Sequence, residues 1–121
     1  MHLKEVYKVT IQSPLRSVKK ILDGIQQINP LEYGQYEGVY FETKGTESFS
    51  PRLDSSPSPI NGVPPSVGSI NRLGSVKVEF YIPRDRELLT LIINHGIIPN
   101  HEWETPVIAF SEEICVVTSR K

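Results

Sequence analysis

Hydrophobic residues alternate with polar ones over residues 6–12, "VYKVTIQ", where Tyr7, Val9 and Ile11 face one way and Lys8, Thr10 and Gln12 the other. This period of two predicts a first strand with one wet face. The spacing then changes. Leu15, Val18, Ile21, Leu22 and Ile25 recur at helical intervals, with Arg16, Lys19 and Lys20 off the stripe. Ser13 before Pro14 reads as an N-cap followed by proline at the first helical position, and the helix is expected to end near Asn29 and Pro30. After a turn at Gly34, "GVYFETK" sets Val39, Phe41 and Thr43 on one face of a second strand. Val76, Val78, Phe80 and Ile82 alternate with Lys77, Glu79 and Tyr81 in a third. Beyond Pro83, "RDRELLTLIINHG" predicts a second helix closed by Gly96 in a left-handed C-cap. The apolar runs "PVIAF" and "ICVVTS" supply one or two closing strands.

The order strand, helix, strand, strand, helix, strand predicts an α+β, ferredoxin-like (βαββαβ) antiparallel sheet with both helices on one face and an extra C-terminal strand. Residues 1–121 read as a single domain. Between strands two and three, residues 45–74 are rich in Ser, Pro and Gly, and Pro57, Pro59, Pro64 and Pro65 disfavour regular structure. This stretch is either a flexible excursion or a loop that contacts a ligand or partner.

Composition narrows the options. Thirteen Lys and Arg against fourteen Asp and Glu leave a net charge of −1, which argues against nucleic acid, anionic membrane or a strongly charged partner. Cys115 is the single cysteine, no secretory leader pattern opens the chain, and no apolar run is long enough to span a membrane. A soluble, cytoplasmic protein is the expectation.

Three stretches together, "YGQYEGVYFETKGTESFSP", "VGSINRLGSVKVEFYIP" and "HEWETPV", resemble the small domain inserted in proteins of the NGG-interacting-factor-three-like (YqfO-type) family. That domain is similar in turn to CutA, the divalent-cation-tolerance protein, and to PII signalling proteins. The likeness runs from residue 4 to about residue 110, and its most specific parts are Phe41 to Pro51, with Thr43, Gly45 and Phe49 in register, and His101, Trp103 and Pro106. It implies a PII/CutA-like domain that assembles, commonly as a homotrimer whose sheet edges continue one another. Here it is expected as a standalone chain. The family's bimetal centre lies in flanking segments outside this sequence, so its hydrolase activity is not carried over. Glu47 stands where relatives often have a second glycine, Glu102 where they often have a proline, and the loop 54–67 is longer than usual.

The resemblance and the residues together nominate Thr43, Gly45, Thr46, Phe49, His101, Trp103 and Glu104 as ligand-binding. His101 and Glu104 are the alternative candidates for copper or zinc. On a helix their three-residue separation lets them converge, but Pro99 and Pro106 bracket the segment and oppose a helix. No second histidine completes an HExxH pattern. In the structural alternative, Trp103 packs against the sheet or a neighbour and Pro106 enters a strand at its start. No catalytic residues are nominated: Cys115 lies in an apolar run, and Glu112 and Glu113 diverge as neighbours. The reading is a non-catalytic oligomeric module without a required cofactor, binding a small molecule or protein partner near clefts between subunits. A CutA-like metal-binding protein is the alternative, and an enzyme of unnamed reaction a weaker one.

Overall fold

The computed structural model describes residues 1–118. Four strands, β1 (His2–Ser13), β2 (Phe41–Phe49), β3 (Asn71–Pro83) and β4 (Val107–Val117), form one sheet in the order β2-β3-β1-β4. Every neighbouring pair is antiparallel. Helix α1 (Leu15–Gln26) joins β1 to β2, and α2 (Arg86–Leu91) begins the connection from β3 to β4. This is the ferredoxin-like α+β plan that the order of elements predicts.

The alternation along β1 and β3 determines which face the helices cover. Val9, Ile11, Val78, Phe80 and Ile82 are buried on one side against Val18, Ile21, Leu22 and Ile25 of α1 and against Leu89, Ile92 and Ile97. At one end Leu31 plugs this core at φ 55°, a left-handed conformation that L side chains rarely adopt. Asn29 Oδ1 accepts from its N–H at 2.9 Å, and its carbonyl accepts from Val39 N at 3.0 Å. The chain then passes to the opposite face, where the Tyr33 hydroxyl donates to the Val116 carbonyl at 2.9 Å.

Several expectations are corrected. Ser13 is not an N-cap: α1 starts at Leu15 without a side-chain cap, the Ser13 hydroxyl donates to the Pro14 carbonyl, and the helix ends at Gln26. Asp85 caps α2, its carboxylate accepting from the N–H groups of Glu87 and Leu88. Gly96 is not a left-handed cap, because α2 continues as a π-helical turn (Ile92–Ile97) and a 3-10 turn (Ile98–Asn100). Its glycine serves close packing instead, since a Cβ there would lie 3.1 Å from the Ile25 Cα. The two closing runs form a single strand, β4, with no further strand among the described residues. Strand β2 is exposed along nearly its whole length, Phe41 included, because no helix reaches across to it. The stretch expected as loop from 45 to 74 gives its ends to β2 and β3, leaving 50–70 irregular.

Candidate functional site

At the end of the sheet where β1 and β2 finish and β4 begins, residues 50–65 fold back over the face away from the helices. Under them lies a groove of about 680 Å³, lined among others by Phe49, Pro57, Ile60, Trp103, Glu104 and Glu47. Phe49 and Trp103 supply aromatic walls, and Glu47 and Glu104 supply carboxylates.

The irregular segment is held at both ends and at its tip. Gly68 N donates to the Pro51 carbonyl at 3.0 Å, closing a neck, and the Asn71 amide bridges to Ser66 and Ser69. The tip, "INGV", is a tight hairpin in which Ile60 and Val63 exchange both backbone hydrogen bonds at 2.9 Å. Asn61 and Gly62 occupy its two left-handed positions at φ 55° and 75°, the geometry for which Asn-Gly is suited.

Segment 101–105 forms the other wall. His101 Nε2 lies 2.7 Å from the Gln12 carbonyl, and His101 Nδ1 accepts from Trp103 N at 3.1 Å. A ring that accepts at Nδ1 and donates from Nε2 is neutral. Burial lowers its pKa from the ordinary value, outweighing the opposing pull of the Gln12 carbonyl and Glu102. Glu102 takes a forked contact from Arg16 of α1 and a hydrogen bond from the Ser17 hydroxyl at 3.1 Å. The Arg16 contact is the chief reason its carboxyl is held below the usual range. Arg16 also reaches the Asn61 side chain. Glu104 accepts from Ser58 N at 3.0 Å and Ser58 Oγ at 3.2 Å. With its amide oriented to donate, Gln12 binds Glu47 at 2.7 and 3.1 Å.

Of the residues nominated from sequence, Phe49, Trp103 and Glu104 meet at this groove. His101 stands behind it as a brace rather than a wall. Thr43, Gly45 and Thr46 do not take part: they are exposed in mid-β2, with Gly45 paired to Ser75 and no turn there. His101 and Glu104 do not converge on a common point as metal ligands, since both histidine nitrogens and both Glu104 oxygens have protein partners. Among the described residues no group of three or more His, Cys, Asp or Glu is placed to hold a metal ion. Sequence reasoning missed Gln12, Arg16, Glu47, Ser58 and Asn61. Only Asn61 carried a local signal, the Asn-Gly turn; the others matter through contacts far apart in sequence.

The sheet order and the face left open define the class, a ferredoxin-like α+β domain with a groove at one end of its uncovered face. No family model matches the chain. Two curated proteins from two strains of Staphylococcus epidermidis, each called a GTP cyclohydrolase 1 type 2 homolog, are 33% and 30% identical to it over 104 residues. Each alignment takes in 86% of this chain and 26% of the relative, so the chain spans about a quarter of the curated relatives it matches. A Bacillus cereus protein related to NIF3 superposes with a TM-score of 0.69 over 93% of this chain and 27% of its own, at 18% identity. A structure of B. subtilis GlnK superposes more loosely, with a TM-score of 0.49 at 13% identity over 91% of this chain and 86% of that one. This chain is related to the NIF3-like proteins over about a quarter of their length.

Proposed function

We propose that the chain is a non-catalytic, oligomeric PII/CutA-like module of the cytoplasm that binds a small ligand or a protein partner beside a cleft between subunits. The observation that carries the reading is the groove itself, walled by Phe49 and Trp103 and opening onto a sheet face that no helix covers. That face carries small or uncharged side chains at Thr10, Thr43, Gly45, Ala109 and Ser111, and its Lys8 and Glu79 neutralise each other at 2.9 Å. Lys77 and Glu113 share this face, so a second sheet lying against it would have to pair or solvate those two charges. Among the described residues both outer strands, β2 and β4, also present unpaired edges. A homotrimer is the assembly proposed.

The absence of a catalytic role is likewise a proposal. Cys115 is buried, with its thiol pushed up chiefly by that burial, and the ring nitrogens of His101 are both engaged. The metal-binding reading gains no support from a donor set whose atoms are already bonded. Among the described residues no helix is long and apolar enough to cross a membrane.

Native mass spectrometry, with the protein sprayed as isolated and after incubation with zinc, copper and a nucleotide panel, tests the whole reading. A trimer that retains a stoichiometric organic mass, lost on Trp103→Ala, is the expected result. A bare monomer without uptake refutes it, and metal uptake lost on His101→Ala would instead establish the metal-binding alternative.

A further inference from the structure

We infer that residues 51–68 form a lid over the groove, hinged at its neck and latched shut by two carboxylates of the same short segment, Glu102 and Glu104. The lid has the construction of a rigid flap. Its neck is fixed by the Gly68–Pro51 hydrogen bond and by the Asn71 side chain, which holds Ser66 and Ser69. Its tip is stiffened by the Ile60–Val63 hairpin. Beyond the neck, the lid's side chains hydrogen-bond the rest of the fold at few places among the described residues. Ser58 gives Glu104 both its N–H and its hydroxyl, and Asn61 meets Arg16, which is itself held by Glu102.

Little apolar burial opposes lifting. Leu53 and Val63 of the lid are 86% and 67% exposed, and Ile70 just beyond it is 75% exposed. Only partly buried side chains such as Pro57 and Ile60 line the groove. A segment anchored by exposed polar contacts and little buried surface belongs to the low-stability end of a fold's opening equilibria. Because both latches act on residues 102–104, and the neutral His101 ring braces that segment against β1, a single short stretch controls closure.

Trp103 lines the groove under the lid, and its indole N–H is buried with no hydrogen-bond partner among the described residues. It is the indole of the chain's only tryptophan, so a single NMR resonance reports on it. The lid rests on the groove described above but not on any ligand, and its test uses none. In the full chain, exchange of the Trp103 indole proton with deuterated solvent is followed alongside the amides of β1. Ser58→Ala weakens one latch by removing the hydroxyl bond to Glu104 while the backbone N–H bond stays, and is expected to speed indole exchange about fivefold, the factor for one ordinary hydrogen bond. Ser58→Ala with Asn61→Gly, which removes the Asn61 side chain and keeps a residue suited to the left-handed position, should multiply the effects, to about 25-fold if the latches act independently, while the β1 amides hold their rates. An unchanged indole rate in both variants overturns the lid. So does a rise in which indole and β1 amides accelerate together, because exchange would then follow unfolding of the sheet.

Discussion

Replacing Gly24 by alanine tests the closest approach in the fold. On an isolated exposed helix the change would stabilise by about 1 kcal/mol, because glycine sacrifices more backbone entropy than alanine. In α1 a new Cβ would lie 2.4 Å from Asn100 Nδ2 and 2.8 Å from the Gly96 carbonyl oxygen. The Asn100 side chain can swing away, but it would give up its 2.8 Å hydrogen bond to that same carbonyl, at about 1 kcal/mol. The Gly96 oxygen is backbone and can retreat only if the π-helical turn separates from α1. Gly96 is itself pressed against the Ile25 backbone, so the whole crossing must shift. Overpacking of this kind costs about 1–3 kcal/mol. The contributions leave Gly24→Ala destabilised by about 2 kcal/mol, or about 8 °C in Tm for a domain of this size. Thermal and urea unfolding by circular dichroism measure it. Gly45→Ala is the control: nothing lies within 4 Å of its added Cβ, so the change should be neutral or slightly stabilising. A Gly24→Ala protein as stable as the parent would refute the claim that these two glycines set the helix spacing.

Two further outcomes follow from features of the same chain. Burial holds the His101 pKa below its ordinary 6.5, so the unfolded chain binds a proton that the folded chain resists, and stability is expected to fall as pH drops below about 6.5. Urea midpoints at pH 7.5 and 5.5 should differ less in His101→Gln than in the parent. Leu31→Ala empties the plugged end of the core while keeping the strained backbone, and should cost about 2–5 kcal/mol in urea unfolding; a loss under 1 kcal/mol would mean that the site collapses around the smaller side chain.

How much of this was legible beforehand depended on whether the determining contact was local. The strands β1 and β3 were readable because a half-buried strand writes its face into the sequence at every second residue, as Val76, Val78, Phe80 and Ile82 do. The Asn-Gly tip carried a local signal of the same kind, a conformational demand met by the residues themselves, but it was passed over inside the Pro-rich stretch. The end of the second helix was not. Gly96 looked like a cap, whereas its glycine answers to Ile25, seventy-odd positions away. The site was legible in part. Phe49, Trp103 and Glu104 were nominated and do meet, but Thr43, Gly45 and Thr46 belong to an edge strand whose position beyond the reach of the helices no local pattern announces. His101 was nominated for its chemistry, and its ring nitrogens turn out to be engaged in bracing the backbone.

The central place of β1 also bears on how the molecule comes to be folded. Val9 lies opposite Phe80 on one side and Phe110 on the other, so the strand made first finds its partners only after about 70 and about 100 further residues, a topology that favours slow folding. Until β4 arrives, β1 carries an open edge, and during synthesis or refolding that edge is where a second nascent chain could pair in place of the proper strand. Refolding yield should therefore fall with protein concentration more steeply than the stability of the finished fold would indicate.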